Sequence, residues 1–248
     1  MKKIISLSLC IILSVVLLTG CVSINFSHFG GPGVTGRGNM ETFTFDVGDI
    51  TNVRVELLAN IVYYSAPSDT VTLEIQPNLM DYITVEESGG TLTVRSTRNI
   101  NVSGTGNTPV LTISSPYLAT LFHAGAGTFT AVDPIVGDSF SLTIAGAADG
   151  SAVLDVDNLY VSLAGVGNLE LSGVATNADV NIAGAGRLDA LDLDTNVTSI
   201  NLAGVGTVRI GCSDSLTITA GGAGTVEYRG NPSIDITRGG LVTVRQVD

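Results

Sequence analysis

The segment Val161-Ser162-Leu163-Ala164-Gly165-Val166-Gly167-Asn168-Leu169-Glu170-Leu171 carries the pattern that decides the fold. Alternating apolar and polar residues stand on both sides of a short corner of small residues, Ala164 to Gly167. Alternation indicates β-strands, because successive side chains of a strand point to opposite faces. The segment therefore predicts a strand, a tight corner and a second strand.

The same corner recurs along the second half of the chain. The first glycines of successive corners are 21, 19, 19, 20 and 18 residues apart. A repeat of this length is typical of solenoids, in which each unit buries its apolar face only against its neighbours. A weaker seventh copy follows at Arg238-Gly239-Gly240. The glycines predicted to form the corners are Gly125, Gly127, Gly146, Gly165, Gly167, Gly184, Gly186, Gly204, Gly206, Gly222 and Gly224.

So tight a corner leaves no room for a helical crossover, so equivalent strands must pair from coil to coil. This predicts an all-β fold, a single-stranded β-helix (solenoid) with coils of about 16 to 21 residues and Gly-x-Gly corners. Glycine suits the corner because a Cβ there would need a positive φ or would strike the next coil. Alternation predicts further strands upstream, and Asn78 to Tyr82 can form at most one helical turn.

The first residues form an export signal. Lys2 and Lys3 precede an apolar run, Ile4 to Leu18, that is too short to span a membrane comfortably. The run leads into Leu18-Thr19-Gly20-Cys21, which resembles the lipobox of bacterial lipoproteins. That resemblance implies that residues 1–20 are a lipoprotein signal peptide and that Cys21 is lipidated. We expect an exported lipoprotein anchored on the extracytoplasmic side of the cell membrane or the outer membrane.

The remaining chain divides into a linker and one domain. Residues 21–39 are rich in glycine and poor in apolar residues, which predicts a flexible tether. Residues 40–248 are predicted to form the β-helical domain. Beyond residue 20 the chain has nine arginines, no lysine and 23 acidic residues, a formal charge of −14. Such a charge argues against nucleic acid as a partner and leaves the lipid as the attachment to the membrane.

Several motifs together resemble a known family. The repeated Ala-Gly-x-Gly corners combine with Gly89-Gly90-Thr91-Leu92-Thr93-Val94 and with Val226-Glu227-Tyr228-Arg229-Gly230-Asn231-Pro232. This combination, over about Val34 to the C-terminus, resembles the head GIN domain of auto-transporter adhesins, the DUF2807 family. The resemblance implies a β-helix of the pectin-lyase-like shape, no catalytic residues and a role in adhesion. The sequence departs from the family pattern at Ala148, at the extra residue in Ala220 to Gly224, and at Arg238, where a first glycine is expected.

Stacking in register would align equivalent polar residues into ladders. We expect one outward ladder of hydroxyl, amide and carboxyl groups. Its residues either bond one another along the stack or form a recognition face for a glycan or an envelope protein. This candidate binding face consists of Thr143, Ser162, Asn181, Asn201, Thr217 and Asp235.

A second ladder is charged and reads Glu170, Asp189, Arg209 and Glu227. An exposed column of ion pairs is the first interpretation. Calcium held between Glu170 and Asp189, with Asp192 or Asp194 nearby, is the alternative. The calcium nonapeptide of other β-helices is absent from the sequence, so we predict no metal site and no cofactor.

The sequence offers little for catalysis. Beyond the signal it has no lysine and no tryptophan, and no serine, histidine and acid form a hydrolase motif. We interpret His123 as structural, and Cys212 as a buried or partly buried thiol without a disulfide partner. The sequence therefore predicts no catalytic residue and a protein that is not an enzyme.

The sequence is compatible with three functions. The first is a non-enzymatic cell-envelope lipoprotein that acts as an adhesin or surface-binding module. The second is a structural or sensory envelope component that docks a protein partner or forms a homo-oligomer through its last strand, Leu241 to Asp248. The third and most remote is a carbohydrate-active enzyme, which would need an acidic cluster in a groove.

Overall fold

A computed structural model describes residues 33–104 and 106–248 of the chain. The predicted signal peptide, the lipidation site Cys21 and the first part of the predicted tether lie outside the described residues. No helix of the described residues is long and apolar enough to cross a membrane.

The described residues form nineteen strands and one short helix. The N-terminal elements are β1 (Val34–Thr35), β2 (Glu41–Phe45), β3 (Asn52–Glu56), β4 (Asn60–Ser65), β5 (Thr70–Ile75), α1 (Pro77–Met80), β6 (Ile83–Ser88), β7 (Thr91–Ser96), β8 (Ile100–Asn101) and β9 (Val110–Ser115). The others are β10 (Thr120–His123), β11 (Ala126–Ala131), β12 (Ile135–Ile144), β13 (Ala147–Leu163), β14 (Val166–Ile182), β15 (Ala185–Leu202), β16 (Val205–Ala220), β17 (Ala223–Arg229), β18 (Ser233–Arg238) and β19 (Leu241–Gln246).

From β10 onward the chain coils regularly, which confirms the predicted solenoid. Strands of successive coils pair in parallel, and the register shifts only within the β14–β15 and β15–β16 pairs of the described strands. Thr143 pairs with Ser162 and Asn181 with Asn201, for example. Long strands such as β14 bend around the coil, and their inward residues, including Leu169 and Val180, are fully buried. Stacked coils therefore share one continuous apolar core.

The corners stack so closely that a side chain does not fit at the first glycine. A Cβ on Gly165 would lie 1.8 Å from the carbonyl oxygen of Gly146, one coil below. The same collision, at 1.9 Å, recurs between Gly184 and the carbonyl of Gly165. Of the two reasons predicted for glycine, the collision therefore applies at these positions, since neither residue has a positive φ.

The structure explains two of the departures from the corner pattern. Ala148 pairs with Gly127 in the corner column, and it is buried against the core. The prediction that Arg238 replaces a first glycine is wrong. Arg238 pairs with Ala220 at the end of a strand, and a Cβ on Gly240 would lie 1.9 Å from the Gly222 carbonyl. Gly240 therefore takes the first-glycine position.

The N-terminal coils do not stack in chain order. Strand β3 pairs with β7 on one side and with β10 on the other, and β4 lies between β9 and β11 in the same way. The β3–β4 connection forms a corner that contains no glycine. It stacks directly against the next corner, where a Cβ on Gly125 would lie 1.7 Å from the Leu57 carbonyl oxygen. The stack thus begins with two coils that are inserted from distant parts of the sequence.

Antiparallel strands and α1 close this end of the stack. Strand β5 pairs antiparallel with β9 and β2, and β6 pairs antiparallel with β7. Helix α1 lies between β5 and β6, as the predicted helical turn, and its Leu79 is completely buried. These elements cover the strand edges and the apolar core that an open coil would expose.

The predicted boundary between tether and domain at residue 40 needs correction. Residues Val34 and Thr35 pair with β8, and Asn78 contacts both sides of this segment. Its amide donates to the Thr35 carbonyl (3.0 Å) and its carbonyl accepts from the Arg37 backbone N–H (2.7 Å). The glycine content and the scarcity of apolar residues indicated flexibility, but these hydrogen bonds hold the segment from Val34 onward against the domain.

Candidate functional site

The solenoid has two outer faces on either side of the glycine corner. We define the pre-corner face by the outward residues of strands that enter the corner, namely β10, the last parts of β12 to β16, and β18. The post-corner face consists of the outward residues of strands that leave it, namely β11, the first parts of β13 to β16, β17 and β19. The predicted polar ladder lies on the pre-corner face, and the charged ladder lies on the post-corner face.

The structure brings the first four residues of the predicted polar ladder together. Thr143, Ser162, Asn181 and Asn201 occupy one column on consecutive coils. The ladder continues through Thr219, because Asn201 pairs with that residue. No side-chain hydrogen bond joins the first four residues among the described contacts. The proposed bonding along the stack is therefore not seen.

The last two predicted members of that ladder, Thr217 and Asp235, belong to the neighbouring column. Thr217 pairs with Ser199 and with Asp235. Each of the first four members stands three residues before the first glycine of its corner. The last two predicted members stand three residues before Ala220 and Arg238, whereas the first glycines of those corners are Gly222 and Gly240. The same count from these glycines gives Thr219 and Thr237, which pair with each other in the ladder.

A groove runs across the coils on the post-corner face. It consists of two adjoining open depressions of about 420 Å³ and 540 Å³. Ser151, Glu170 and Asp189 line both depressions, so the two form one continuous feature. We call it the post-corner groove; its remaining polar lining consists of Thr128, Thr130, Asp149, Asn168, Ser172, Arg187, Asp192 and Arg209.

The centre of the groove is one column of polar side chains. Register pairs join Thr130 to Ser151, Ser151 to Glu170, Glu170 to Asp189 and Asp189 to Arg209. The charged ladder predicted from the sequence is therefore in register, and it extends toward both ends. Neighbouring members are one strand spacing apart, about 4.8 Å, so these five residues span roughly 19 Å.

One end of this column is a chain of ion pairs. Asp189 Oδ2 accepts from Arg187 (2.9 Å) and Arg209 (2.6 Å), and Arg209 also donates to Glu227 (3.0 Å). Glu227 in turn pairs with Arg245. Partial burial raises the pKa of Asp189, but hydrogen bonds from both arginines outweigh it and hold that pKa below its usual range. The hydrogen bonds from Arg245 and Arg209 likewise lower the pKa of Glu227.

The other end of the column consists of unpaired groups. The hydroxyls of Thr130 and Ser151 and the carboxylate of Glu170 have no hydrogen-bond or ion-pair partner within residues 33–104 and 106–248. Beside them, Asp149 accepts from the backbone N–H (2.7 Å) and the side-chain amide (3.0 Å) of Asn168. This end of the groove offers free hydrogen-bonding groups on three consecutive coils.

The calcium alternative for this ladder finds little support in the geometry. The part of the chain that the structure describes contains no group of three or more side chains placed to hold a metal ion. Two arginines contact Asp189, and Asp194 pairs with Arg229 at 3.0 Å. Positive charge therefore already neutralises Asp189 and Asp194, two of the four carboxylates that calcium would use.

The histidine and cysteine considered for catalysis are both buried. His123 lies in a core column between Val55 and Ile144, and its side chain is 0% exposed. Cys212 is 3% exposed, and its thiol lies 3.2 Å from the Ser215 carbonyl. The prediction of a buried, unpaired thiol is confirmed. Neither side chain is accessible to a substrate.

The sequence also matches a known family. The model of the family described as "Putative auto-transporter adhesin, head GIN domain" matches residues 49–232, which is more than half of the chain. The chain belongs to this family. The resemblance seen in the sequence is thereby confirmed. No curated protein sequence matches the chain.

Solved structures share the fold. A "putative adhesin" from Bacteroides fragilis is 21% identical, with a TM-score of 0.81 over 87% of this chain and 100% of that one. A "putative lipid binding protein" from Parabacteroides distasonis is 24% identical, with a TM-score of 0.69 over 88% and 100%. A "putative adhesin" from Parabacteroides merdae is 21% identical, with a TM-score of 0.65 over 88% and 100%.

The family and these structures are described by binding and adhesion, and none of the descriptions names an enzymatic activity. Membership in an adhesin-like family points to an extracellular or surface location. The groove itself was not predicted from the sequence. Its signal was present in the charged ladder, which continues upstream into Thr130 and Ser151 at the same position of the repeat.

Proposed function

We propose that the protein is a non-enzymatic binding module of the adhesin type, displayed on the cell envelope, and that the post-corner groove is its binding site. The observation that carries this proposal is the row of unpaired groups at Thr130, Ser151 and Glu170 inside a continuous groove. A convex surface, or one whose polar groups all hydrogen-bond one another, would give a ligand fewer groups to bind. Family membership supports the same reading.

The groove chemistry argues for a polar ligand and against catalysis. Hydroxyls, carboxylates and arginines line it, so it suits a glycan or a polar protein surface better than an acyl chain. One similar structure is described as lipid binding, but its sequence identity is low. Asp189 has a lowered pKa, whereas a general acid of a glycosidase needs a raised one. The remote alternative of a carbohydrate-active enzyme is therefore weaker.

Binding to intact cells tests the proposal. The purified full chain, held in detergent below lytic concentration, is mixed with cells from which the gene has been deleted. We expect saturable binding that unlabelled protein competes away. Binding that rises linearly with concentration and resists competition would contradict an adhesin-type function.

Anchoring through Cys21 is a separate part of the proposal. It is supported by the small residues that precede the cysteine at the end of the apolar run. Cells that express the full chain or the Cys21→Ala variant are grown with a clickable palmitate analogue. We expect label in the full chain and none in the variant. Equal labelling of the two would rule out lipidation at this residue.

The terminal coil supports a second candidate, docking of a protein partner or self-association. Strands β18 and β19 each pair with one neighbour in the described register, and Leu241 is 85% exposed. The segment from Ser233 to Asp248 contains two arginines and two aspartates, so it lacks the negative charge of the rest of the chain. Two acidic copies would repel each other least at this coil.

Light scattering of the detergent-solubilised full chain tests this candidate. We expect a dimer that the Leu241→Asp variant dissociates. The matched control is Val205→Asp, since Val205 is 62% exposed in the same corner column but lies inside the stack. A monomer at high concentration, or equal effects of the two variants, would argue against association through this coil.

A further inference from the structure

We propose that the post-corner groove binds an extended glycan lengthwise, with one sugar ring over each coil, and that it selects sugars bearing hydroxyl or amino groups over acidic sugars. This inference rests on the proposed function and specifies the ligand of the same groove. It follows from the spacing of the groove residues, from their unpaired groups and from the signs of the unpaired charges.

The spacing of the column suits a linear polymer. Thr130, Ser151 and Glu170 pair on three successive coils, at the strand spacing of about 4.8 Å. A sugar ring in an extended glycan is about as long as one coil is thick. Successive rings can therefore meet equivalent groups on successive coils, whereas a compact ligand would use only one or two of them.

The unpaired groups suit sugar hydroxyls. Two hydroxyls, on Thr130 and Ser151, can each donate and accept a hydrogen bond, and both oxygens of Glu170 can accept. Asp149 lies beside this row with its Oδ1 already bound to Asn168, which fixes the carboxylate as a wall of the groove. The groove thus offers several hydrogen bonds and needs no internal bond to be broken.

The charges determine which glycans fit. The charged groups in the groove that lack a partner among the described residues are carboxylate oxygens: both of Glu170, both of Asp192, Oδ2 of Asp149 and Oδ1 of Asp189. Arg187 and Arg209 are held by Asp189 and Glu227. An acidic polymer would face uncompensated repulsion at Glu170, while hydroxyl and ammonium groups would be attracted.

Calorimetric titration of the purified full chain in detergent tests the inference with three defined probes. These probes are cellohexaose, fully de-N-acetylated chitohexaose and hexagalacturonate. We expect the first two to bind and hexagalacturonate to give no heat. The Glu170→Gln variant should weaken binding of the amino-sugar hexamer by about tenfold, because a hydrogen bond to a charged group is lost.

The matched control is Asp179→Asn, which neutralises an exposed carboxylate on the same strand, β14, but on the pre-corner face. It should leave binding unchanged. Equal losses in the two variants, or binding of hexagalacturonate as tight as that of cellohexaose, would overturn the inference. If no hexamer binds although the chain still binds cells saturably, the glycan is excluded and the proposed function stands. If cell binding is also absent, both fail.

Discussion

At the scale of single residues, the corner glycines show why the repeat has its sequence. Gly165 has no room for a Cβ because the carbonyl oxygen of the coil below occupies that place. Each corner supports the next one, so a disturbance at one coil displaces its neighbours. The requirement is steric, and it holds without an unusual backbone angle at this residue.

Replacing Gly165 with alanine should therefore destabilise the protein strongly. We expect Gly165→Ala to lower the free energy of unfolding by about 3 kcal/mol or more, since backbone has to move. Gly137→Ala is the control, because a Cβ on Gly137 meets nothing within 4 Å, and it should change stability by less than about 0.5 kcal/mol. Urea unfolding measures both; similar losses would refute the collision.

His123 makes stability depend on pH. Neither ring nitrogen has a hydrogen-bond partner among the described residues. Burial lowers the pKa of His123, and the nearby Leu57 carbonyl offsets this only in part. The unfolded chain therefore binds the proton more readily, so stability is full above the unfolded pKa of about 6.5 and falls as the pH drops below it.

We expect the free energy of unfolding to fall between pH 6.5 and pH 5 by up to about 1.4 kcal/mol per pH unit. The His123→Leu variant should lack this slope, since leucine matches the apolar neighbours Val55 and Ile144. The carboxylates with lowered pKa, Asp189 and Glu227, lose their contribution only at more acidic pH. Equal slopes in the two proteins would show that His123 is not the sensor.

At the scale of elements, the regular coils could be predicted and the N-terminal cap could not. Each repeat can be recognised from its own residues, because alternation indicates the strands and the corner glycines indicate the turn. The insertion of β3 between β7 and β10 depends on backbone hydrogen bonds between strand edges, which are the same for any sequence. The polar ladder failed at Thr217 for a local reason, since the extra residue in the corner Ala220 to Gly224 moved the start of the count from Gly222 to Ala220.

The cap should contribute more to stability than its length suggests. Leu79 of α1 is completely buried, and a Cβ on Gly36 would lie 3.1 Å from its side chain. We expect Leu79→Ala to cost about 2 to 5 kcal/mol, because it leaves a cavity at the end of the core. The control Met80→Ala removes a partly buried side chain of the same helix and should cost less. Urea unfolding compares the two, and an equal or smaller loss for Leu79→Ala would contradict the role of α1 as a cap.

At the scale of the whole molecule, the two outer faces differ in what they offer a ligand. The sequence indicated the pre-corner ladder as the candidate binding face, because its hydroxyl and amide groups were conspicuous. The groove could not be predicted, since its lining comes from five successive coils whose relative placement the sequence pattern does not give. The charged column within it was visible in the sequence, but which of its carboxylates stay unpaired depends on how the arginine side chains are placed.

Blocking each face in turn tests most directly whether the post-corner groove is the binding site. Ser151→Trp fills the groove, and Ser162→Trp places the same bulk on the other face of the same strand, β13. Melting temperatures verify that both variants fold, and saturable binding to intact cells is then compared. We predict that Ser151→Trp weakens binding by at least about tenfold and that Ser162→Trp leaves it unchanged. Full binding by Ser151→Trp together with loss in Ser162→Trp would contradict the account.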